Sequence, residues 1–393
     1  MSIQTASEPS MTRHITQQDL GPLFVDSLHL ASTAFSPFGE RLVSYAAGSV
    51  RLGDGAREAA ADQVFADAAA TLARPDLRVE VVTGGGMMPM GGYRSYAARS
   101  GGDHVVSVVA GGDGWDVLVH ESPRAWAAWS VRGVATVCTE TIPNALPPVM
   151  SAGSFLLACH AIDVFRRLYL QGLLAHKPET SGVVSAAEFG TWLRESMAGS
   201  DIRWLLPAVV LLVPGLAGVL PEPRAEDFAY LVDHGVIATG KDKGADMIAY
   251  GEAGRLLGAE FARTWTLSAG MAVAVMRGGK EQTLHRVFNA GTGLANHLVR
   301  FEERDNGLDA NHQALSSVEL EQKLGELLLA CWNVERDAAS APLPTATKPA
   351  PTIGTPTAAS TKPPTGKSAK FCPGCGAPVK LGAKFCATCG RPL

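Results

Sequence analysis

Residues 77–82 read Leu-Arg-Val-Glu-Val-Val, an alternation of apolar and polar positions that predicts a strand with one buried face. Val105–Val109 and Trp115–Val119 are apolar runs separated by Gly111-Gly-Asp-Gly114. Asp-Gly between two such runs predicts a hairpin. Upstream, the Ala-rich stretch from Arg57 to Leu72 predicts a helix, and downstream Ser122-Pro123 supplies an N-cap and a first-turn proline for Arg124–Trp129. The order helix, strand, hairpin, helix predicts an α+β unit with an antiparallel sheet. The second half echoes it: a helix ends over Arg255–Phe261, Met271–Val275 reads as a strand, Gly278-Gly279 turns, and Leu284–Phe288 returns. Phe261-Ala-Arg263 precedes its strand as Leu72-Ala-Arg74 precedes the first, so a divergent tandem repeat of one α+β unit is expected.

Between the two halves the pattern turns helical. Met150–Leu174 carries Phe155, Leu156, Ile162, Phe165, Leu168 and Leu170, and Ser185-Ala-Ala-Glu188 has capping-box spacing ahead of a helix through Met197. Trp204–Leu220 is an apolar run broken by Pro207 and Pro214; it is shorter than a membrane span needs and reads as a buried core segment. Near the end, Ser316-Ser-Val-Glu319 repeats the capping-box spacing, followed by Leu320, Leu324, Leu327, Leu328 and Cys331 on one helical stripe.

The pattern stops at Ala338. Residues 338–370 are Pro, Thr, Ala, Ser and Lys with seven prolines, too poor in large apolar side chains to order themselves, and are expected to form a flexible linker with a reach of about 30 Å. The net charge of −4 over 393 residues conceals a split. Residues 338–393 hold seven of the 34 Lys and Arg and none of the 38 Asp and Glu, which leaves the body at −11. An acidic body is a poor partner for a phosphate backbone. Met1–Leu20 shows neither an apolar nor a basic signal-peptide segment, so a cytoplasmic protein is expected, with residues 1–20 disordered.

The chemistry most directly legible lies in the last residues. Cys372-Pro-Gly-Cys375, ten residues and Cys386-Ala-Thr-Cys389 offer four sulfurs from two knuckles. That donor set suits one tetrahedral zinc ion, and a site closed by four thiolates leaves no position for substrate, so the metal would be structural. Residues 371–390, with a Gly after each second Cys and the paired Phe371 and Phe385, resemble the short zinc-ribbon modules of prokaryotic proteins. The resemblance implies Zn2+ on Cys372, Cys375, Cys386 and Cys389. The other three cysteines, Cys138, Cys159 and Cys331, sit far apart in apolar contexts, and the odd remainder points to a reducing compartment.

No catalytic constellation is legible. The loop Thr83-Gly-Gly-Gly-Met-Met-Pro-Met-Gly-Gly92 follows a strand but has no Lys for a phosphate loop. Its methionines Met87, Met88 and Met90 would suit an adaptable binding surface. No His pair has metal-ligand spacing, no Gly-x-Ser-x-Gly turn occurs, and Cys159 and His160, as helix neighbours, face different ways.

Two resemblances bear on partners. Residues 224–261, with Phe228–Ile237 ending a helix at Gly235, Lys241-Asp-Lys243 at a hairpin tip and Tyr250–Leu257 restarting a helix, resemble the C-terminal half of winged-helix DNA-binding domains. The would-be recognition helix carries Glu226, Asp227 and Asp233, which repel phosphates. Leu72-Ala-Arg-Pro-Asp-Leu-Arg-Val-Glu-Val-Val82, the strand pair after it and Ser122-Pro-Arg-Ala-Trp126 are similar to the type VII secretion chaperone family of actinobacteria. That resemblance implies two related α+β halves that bind secreted proteins without catalysis. The expected organisation is a body over 21–335 (halves 21–145 and 185–335, helical connector 146–184), the linker 338–370 and the ribbon 371–393. The expected function is a non-catalytic, zinc-binding adaptor or chaperone-like protein with protein partners and no stable membrane insertion, and the sequence identifies no small-molecule substrate. A DNA-binding protein using residues 224–261 or the ribbon is the alternative.

Overall fold

The structure is a computed structural model. It describes residues 8–340, apart from 49–50, 87, 99–102, 139–142, 177–181, 278 and 306, and beyond them only 370–371 and 378–379. The chain divides into two units, Met1–Pro342 and Leu343–Leu393. In the second, Lys370–Phe371 pairs antiparallel with Pro378–Val379. Cys372, Cys375, Cys386 and Cys389, and the linker from residue 341 on, lie outside the described residues.

The first unit opens with β1 (Met11–Thr16), a π-helical turn over Pro22–Ser27, and the helices α1 (Gly39–Val43), α2 (Asp54–Ala61) and α3 (Gln63–Ala73). The single helix expected over 57–72 is two, because the Asp62 carboxylate accepts from the N–H groups of Val64 and Phe65 and starts a new helix there. Then come β2 (Leu77–Gly85), β3 (Met88–Ala97), β4 (Val105–Ala110), β5 (Gly114–His120) and α4 (Pro123–Val134), capped by the Ser122 hydroxyl. The middle holds β6 (Val149–Ser151), α5 (Ala152–Leu174), β7 (Val183–Ser185), α6 (Ala186–Ala198), α7 (Leu205–Leu212), α8 (Ala225–Asp233), β8 (Ile237–Asp242) and β9 (Ala245–Tyr250). The last stretch is α9 (Glu252–Thr264), β10 (Leu267–Arg277), β11 (Lys280–Gly291), β12 (Asn296–Arg304), β13 (Gly307–Leu315) and α10 (Ser317–Ser340).

One helix, four strands and one helix thus occur twice, as α3-β2-β3-β4-β5-α4 and α9-β10-β11-β12-β13-α10. The fold is α+β, and the two copies share one ten-stranded antiparallel sheet in the order β1-β5-β4-β3-β2-β10-β11-β12-β13-β6. They meet at β2 and β10, where Val81 lies opposite Met271 and Val79 opposite Val273. On each side of this seam the strands step outward in chain order, so one copy is arranged as the other rotated about the seam. The repeat is narrower than the halves 21–145 and 185–335 read from the sequence, and the stretch between the copies is longer than 146–184. It holds a separate three-stranded sheet, β7-β9-β8.

The expectation that residues 1–20 are disordered fails from Met11 on. Met11–Thr16 pairs along β5 from Val119 to Gly114, and Ile15 is buried in the core. Six residues with two apolar positions were too weak a pattern to read, and the free edge of β5 supplies the stability that the segment lacks alone.

Both faces of the sheet are covered. On one, Trp126 and Val131 of α4 and Leu320, Leu324 and Leu328 of α10 pack on Leu77, Val79, Val81, Met271 and Val273. On the other, Phe24, Phe38, Phe65 and Leu72 cover the first copy and Phe155, Ile162, Leu206, Val209 and Phe261 cover the second. The apolar run after Trp204 becomes α7, which lies across the seam so closely that a Cβ on Gly270 would sit 2.0 Å from the Leu212 carbonyl oxygen. Gly270→Ala is therefore expected to cost about 3 kcal/mol by pushing backbone off backbone, read as a lower urea midpoint. Among the described residues no helix is long and apolar enough to cross a membrane.

Candidate protein-docking groove

Helix α9 starts where the chain doubles back at Gly251; a Cβ there would meet the Gly235 carbonyl. Its inner face carries Gly254, Leu257, Gly258 and Phe261, and Gly258 lets the Phe165 ring of α5 lie against the helix backbone. Leu256 and Leu257 are neighbours about 100° apart on the helix, so both cannot face the core. Leu257 is buried and Leu256 is 61% exposed.

Ala253, Leu256, Glu260 and Arg263 recur three or four residues apart and, with Ala259, line a groove of about 870 Å³. Ala145 and Leu294 line it as well. Leu294 is 49% exposed at the turn between β11 and β12. Thr292 fixes that turn, its hydroxyl oxygen accepting from the N–H groups of Leu294 (3.2 Å) and Ala295 (3.0 Å).

The groove is mostly apolar, with Asn144, His234, Glu252, Arg263 and Thr264 among its lining residues, and Glu260 in it is buried. Its Oε1 meets the Thr292 hydroxyl at 2.5 Å and Nε2 of His297 at 2.9 Å. Nδ1 of His297 lies 3.1 Å from Nε2 of His312. A carboxylate accepts, so His297 donates through Nε2, and either nitrogen of the His297 Nδ1–His312 Nε2 contact can be its donor. Burial, with His297 beside it, holds the His312 ring neutral by lowering its pKa to about 3. Its Nδ1 is buried without a hydrogen-bond partner. The chain Thr292, Glu260, His297, His312 is a buried polar chain beside the groove. It presents one carboxylate to the groove, and no Ser or Cys nucleophile belongs to it.

The residues singled out from the sequence fall elsewhere. Cys138, Cys159 and Cys331 are buried. Burial drives the Cys159 thiol well above its ordinary pKa, while Nε2 of His160 donates to the Phe189 carbonyl at 3.0 Å, so these two do not act together. The Gly/Met loop is the turn from β2 into β3. Gly84, Gly85 and Gly86 all have positive φ, and a Cβ on Gly86 would lie 2.7 Å from the Thr266 carbonyl. Met88 and Met90 are more than half exposed on a strand that runs five residues beyond its pairing with β4, which ends at Tyr93 opposite Val109. Among the described residues no group of three His, Cys, Asp or Glu is placed to hold a metal ion.

Residues 224–261 do fold as helix, hairpin and helix, with Lys243-Gly244 at the hairpin tip. Glu226 and Asp233 are exposed on α8, and Asp227 is buried, accepting from Arg224 N–H and the hydroxyls of Ser151 and Ser154. A groove-entering helix needs cations where this one has carboxylates. Fluorescence anisotropy with random duplex at low salt should accordingly show no binding tighter than about 0.1 mM; a tighter, salt-dependent complex would establish a DNA surface.

Neither the groove nor its buried polar chain was legible in the sequence as a site. Glu260, His297 and His312 come from three elements, and the two histidines meet only because β12 and β13 pair with His297 opposite Ala314, two residues from His312. The adjacent leucines 256 and 257 were the one usable signal. No family model matches the chain, and none of the curated proteins matches it. Among solved structures, it is similar to EspG5, the chaperone of the Mycobacterium tuberculosis type VII secretion system, in a complex with a PE25–PPE41 dimer. The two share 12% sequence identity and a TM-score of 0.39 over 80% of this chain and 94% of that one, a degree of likeness that establishes neither a shared fold nor a shared partner.

Proposed function

We propose that this chain is a non-catalytic, chaperone-like adaptor that holds an apolar segment of a partner protein in the groove along α9. The observation that carries the reading is the pair of exposed leucines, Leu256 and Leu294, which line one mostly apolar trough of about 870 Å³. Water gains from covering such a surface, and a helix or strand edge of a partner covers it with little loss of order. The exposed Met88 and Met90 offer a second, adaptable contact. The test is a photo-crosslinking residue at position 256 in the full chain, with one at the exposed Glu321 as control. A discrete adduct with one protein from position 256 alone supports the reading. If Leu294→Glu leaves that adduct intact, or if both positions give the same products, the groove is not a docking site.

The tail is proposed to carry one structural zinc. Four thiolate donors in two Cys-x-x-Cys pairs suit that ion, and the paired strands Lys370–Phe371 and Pro378–Val379 bracket the first pair in sequence. Thiolates and an odd number of other cysteines fit a reducing, cytoplasmic setting. Metal analysis of the purified full chain should give one zinc per molecule, and none after Cys372→Ser with Cys375→Ser. Equal metal content in both would dismiss the site.

A further inference from the structure

The echo of Leu72-Ala-Arg74 in Phe261-Ala-Arg263 aligns α3 with α9. Counting back inside each helix places Glu260 where Thr71 stands and Leu256 where Asp67 stands. Thr71 is buried, and its hydroxyl meets Nε2 of His104 at 3.1 Å. Glu260 makes the matching contact with Nε2 of His297 at 2.9 Å. Asp67 is exposed and accepts from the Gln63 side chain at 2.9 Å. The second copy has therefore replaced a surface carboxylate by leucine and a buried hydroxyl by a carboxylate. Neither exchange is needed to build the helix, because the first copy builds it without them. Both new side chains line the groove.

Both contacts of the Glu260 carboxylate, to Thr292 and to His297, fall on Oε1. Oε2 has no hydrogen-bond partner among the described residues and is not sealed from solvent; the side chain keeps 6% of its surface accessible. A carboxylate has about four lone-pair sites, so accepting capacity is left over on the groove side. Glu252, exposed at the start of α9, lines the same groove. Among the described residues neither carboxylate has a Lys or Arg within 4.0 Å. Arg263 also lines the groove, but its guanidinium lies over the Tyr169 ring, 5.9 Å from the centroid.

We propose, as an extension of the docking function, that the partner segment held along α9 carries a lysine among its apolar residues, and that the lysine ammonium group donates to Glu260 Oε2. A single accessible oxygen suits the point charge of lysine, whereas the planar fork of arginine is matched to both oxygens of a carboxylate. The apolar stem of lysine can lie along Leu256 while the charged end reaches the acid. Covering the groove removes water from the pair, which strengthens the contact relative to one on the open surface. The excess of carboxylates in the body draws a cationic segment towards it.

The experiment uses the full-length protein and fluorescent peptides that form one amphipathic helix of Leu, Ala and Ser and differ only at a central position: Lys, Gln or Glu. In anisotropy titrations the Lys peptide is expected to bind with a dissociation constant below about 100 μM. The Gln peptide is expected to bind at least about tenfold more weakly, and the Glu peptide more weakly still. Leu256→Ser, at an exposed position, should weaken all of them. Glu260→Gln keeps an oxygen for Thr292 and His297, and should bring the Lys peptide to the level of the Gln peptide. The peptide series reads the charge in the unaltered protein, and the Gln variant assigns it. Equal binding of the Lys and Gln peptides, with Leu256→Ser still weakening both, would overturn the lysine and leave the docking groove standing. A Lys preference that survives Glu260→Gln would overturn the assignment to Glu260. No binding of any peptide, or none that depends on Leu256, would overturn the docking function and the lysine with it.

Discussion

On acidification from about pH 8 to about pH 5 the protein is expected to lose about 4 to 5 kcal/mol of folding stability. Three buried histidines set the sign. Burial lowers the pKa of His120 to about 4, of His160 to about 4 and of His312 to about 3. In the unfolded chain each returns to its ordinary value near 6.5. Between those values the unfolded state binds more protons than the folded state, so stability rises with pH and is lost as pH falls below about 6.5. Each histidine accounts for about 2 kcal/mol by pH 5. Asp163 opposes them. Burial raises its carboxyl to about 6 against the pull of Arg166 and two helix N–H groups. It therefore takes up a proton in the folded state first and returns about 1 to 1.5 kcal/mol over the same interval. His14, raised by its hydrogen bonds to Asp116 and Asp113, also works against the histidines, but from the surface, where solvent mutes it. Urea unfolding at the two pH values measures the loss. His312→Asn should flatten the dependence by about 2 kcal/mol; an unchanged slope would show that His312 is not held neutral in the fold.

Trp126→Ala is expected to destabilise the protein by about 4 kcal/mol. The indole is fully buried between α4 and the sheet, so its removal leaves a large cavity in the layer that both repeats share. It also ends a polar chain. Trp126 Nε1 donates to Ser95 Oγ at 2.9 Å, Ser95 Oγ meets Ser107 Oγ at 2.8 Å, and Ser107 Oγ meets His120 Nε2 at 3.0 Å. Trp126→Phe separates the two contributions: it keeps most of the volume and loses the N–H, and should cost about 1 to 2 kcal/mol. Equal losses for the two variants would mean that the hydrogen bond, and not packing, dominates at this position.

The sequence exposed those parts of the fold whose signals are local. The alternation in 77–82, the Asp-Gly turn after Gly111 and the capping boxes at Ser185 and Ser316 each specify a few neighbouring residues, and β2, the β4–β5 hairpin, α6 and α10 stand where these predict. The echo of Leu72-Ala-Arg74 in Phe261-Ala-Arg263 marked the same helix-to-strand turn in both copies of the repeat. What stayed hidden depends on distant partners. β1 is a strand only because β5 offers an edge about a hundred residues away in the chain. Glu260 is a buried acid only because Thr292 reaches it from the β11–β12 turn and His297 from β12. Trp204–Leu220 is apolar because α7 lies over Gly270 at the seam, a contact that composition alone cannot distinguish from contact with lipid.

The seam between β2 and β10 has a consequence for synthesis on the ribosome. Leu77–Gly85 can form its hairpin with β3 early, but its other edge finds Leu267–Arg277 only after about 180 more residues have been made. At typical elongation rates this edge waits roughly 10 to 40 seconds. During that interval β2, with Val79, Val81 and Val82 beside Arg78 and Glu80, has an open edge that another strand can pair with. The first repeat is thus a folded but sticky intermediate, and the yield of native protein should depend on how quickly translation passes residue 277 or on what shields β2 until it does.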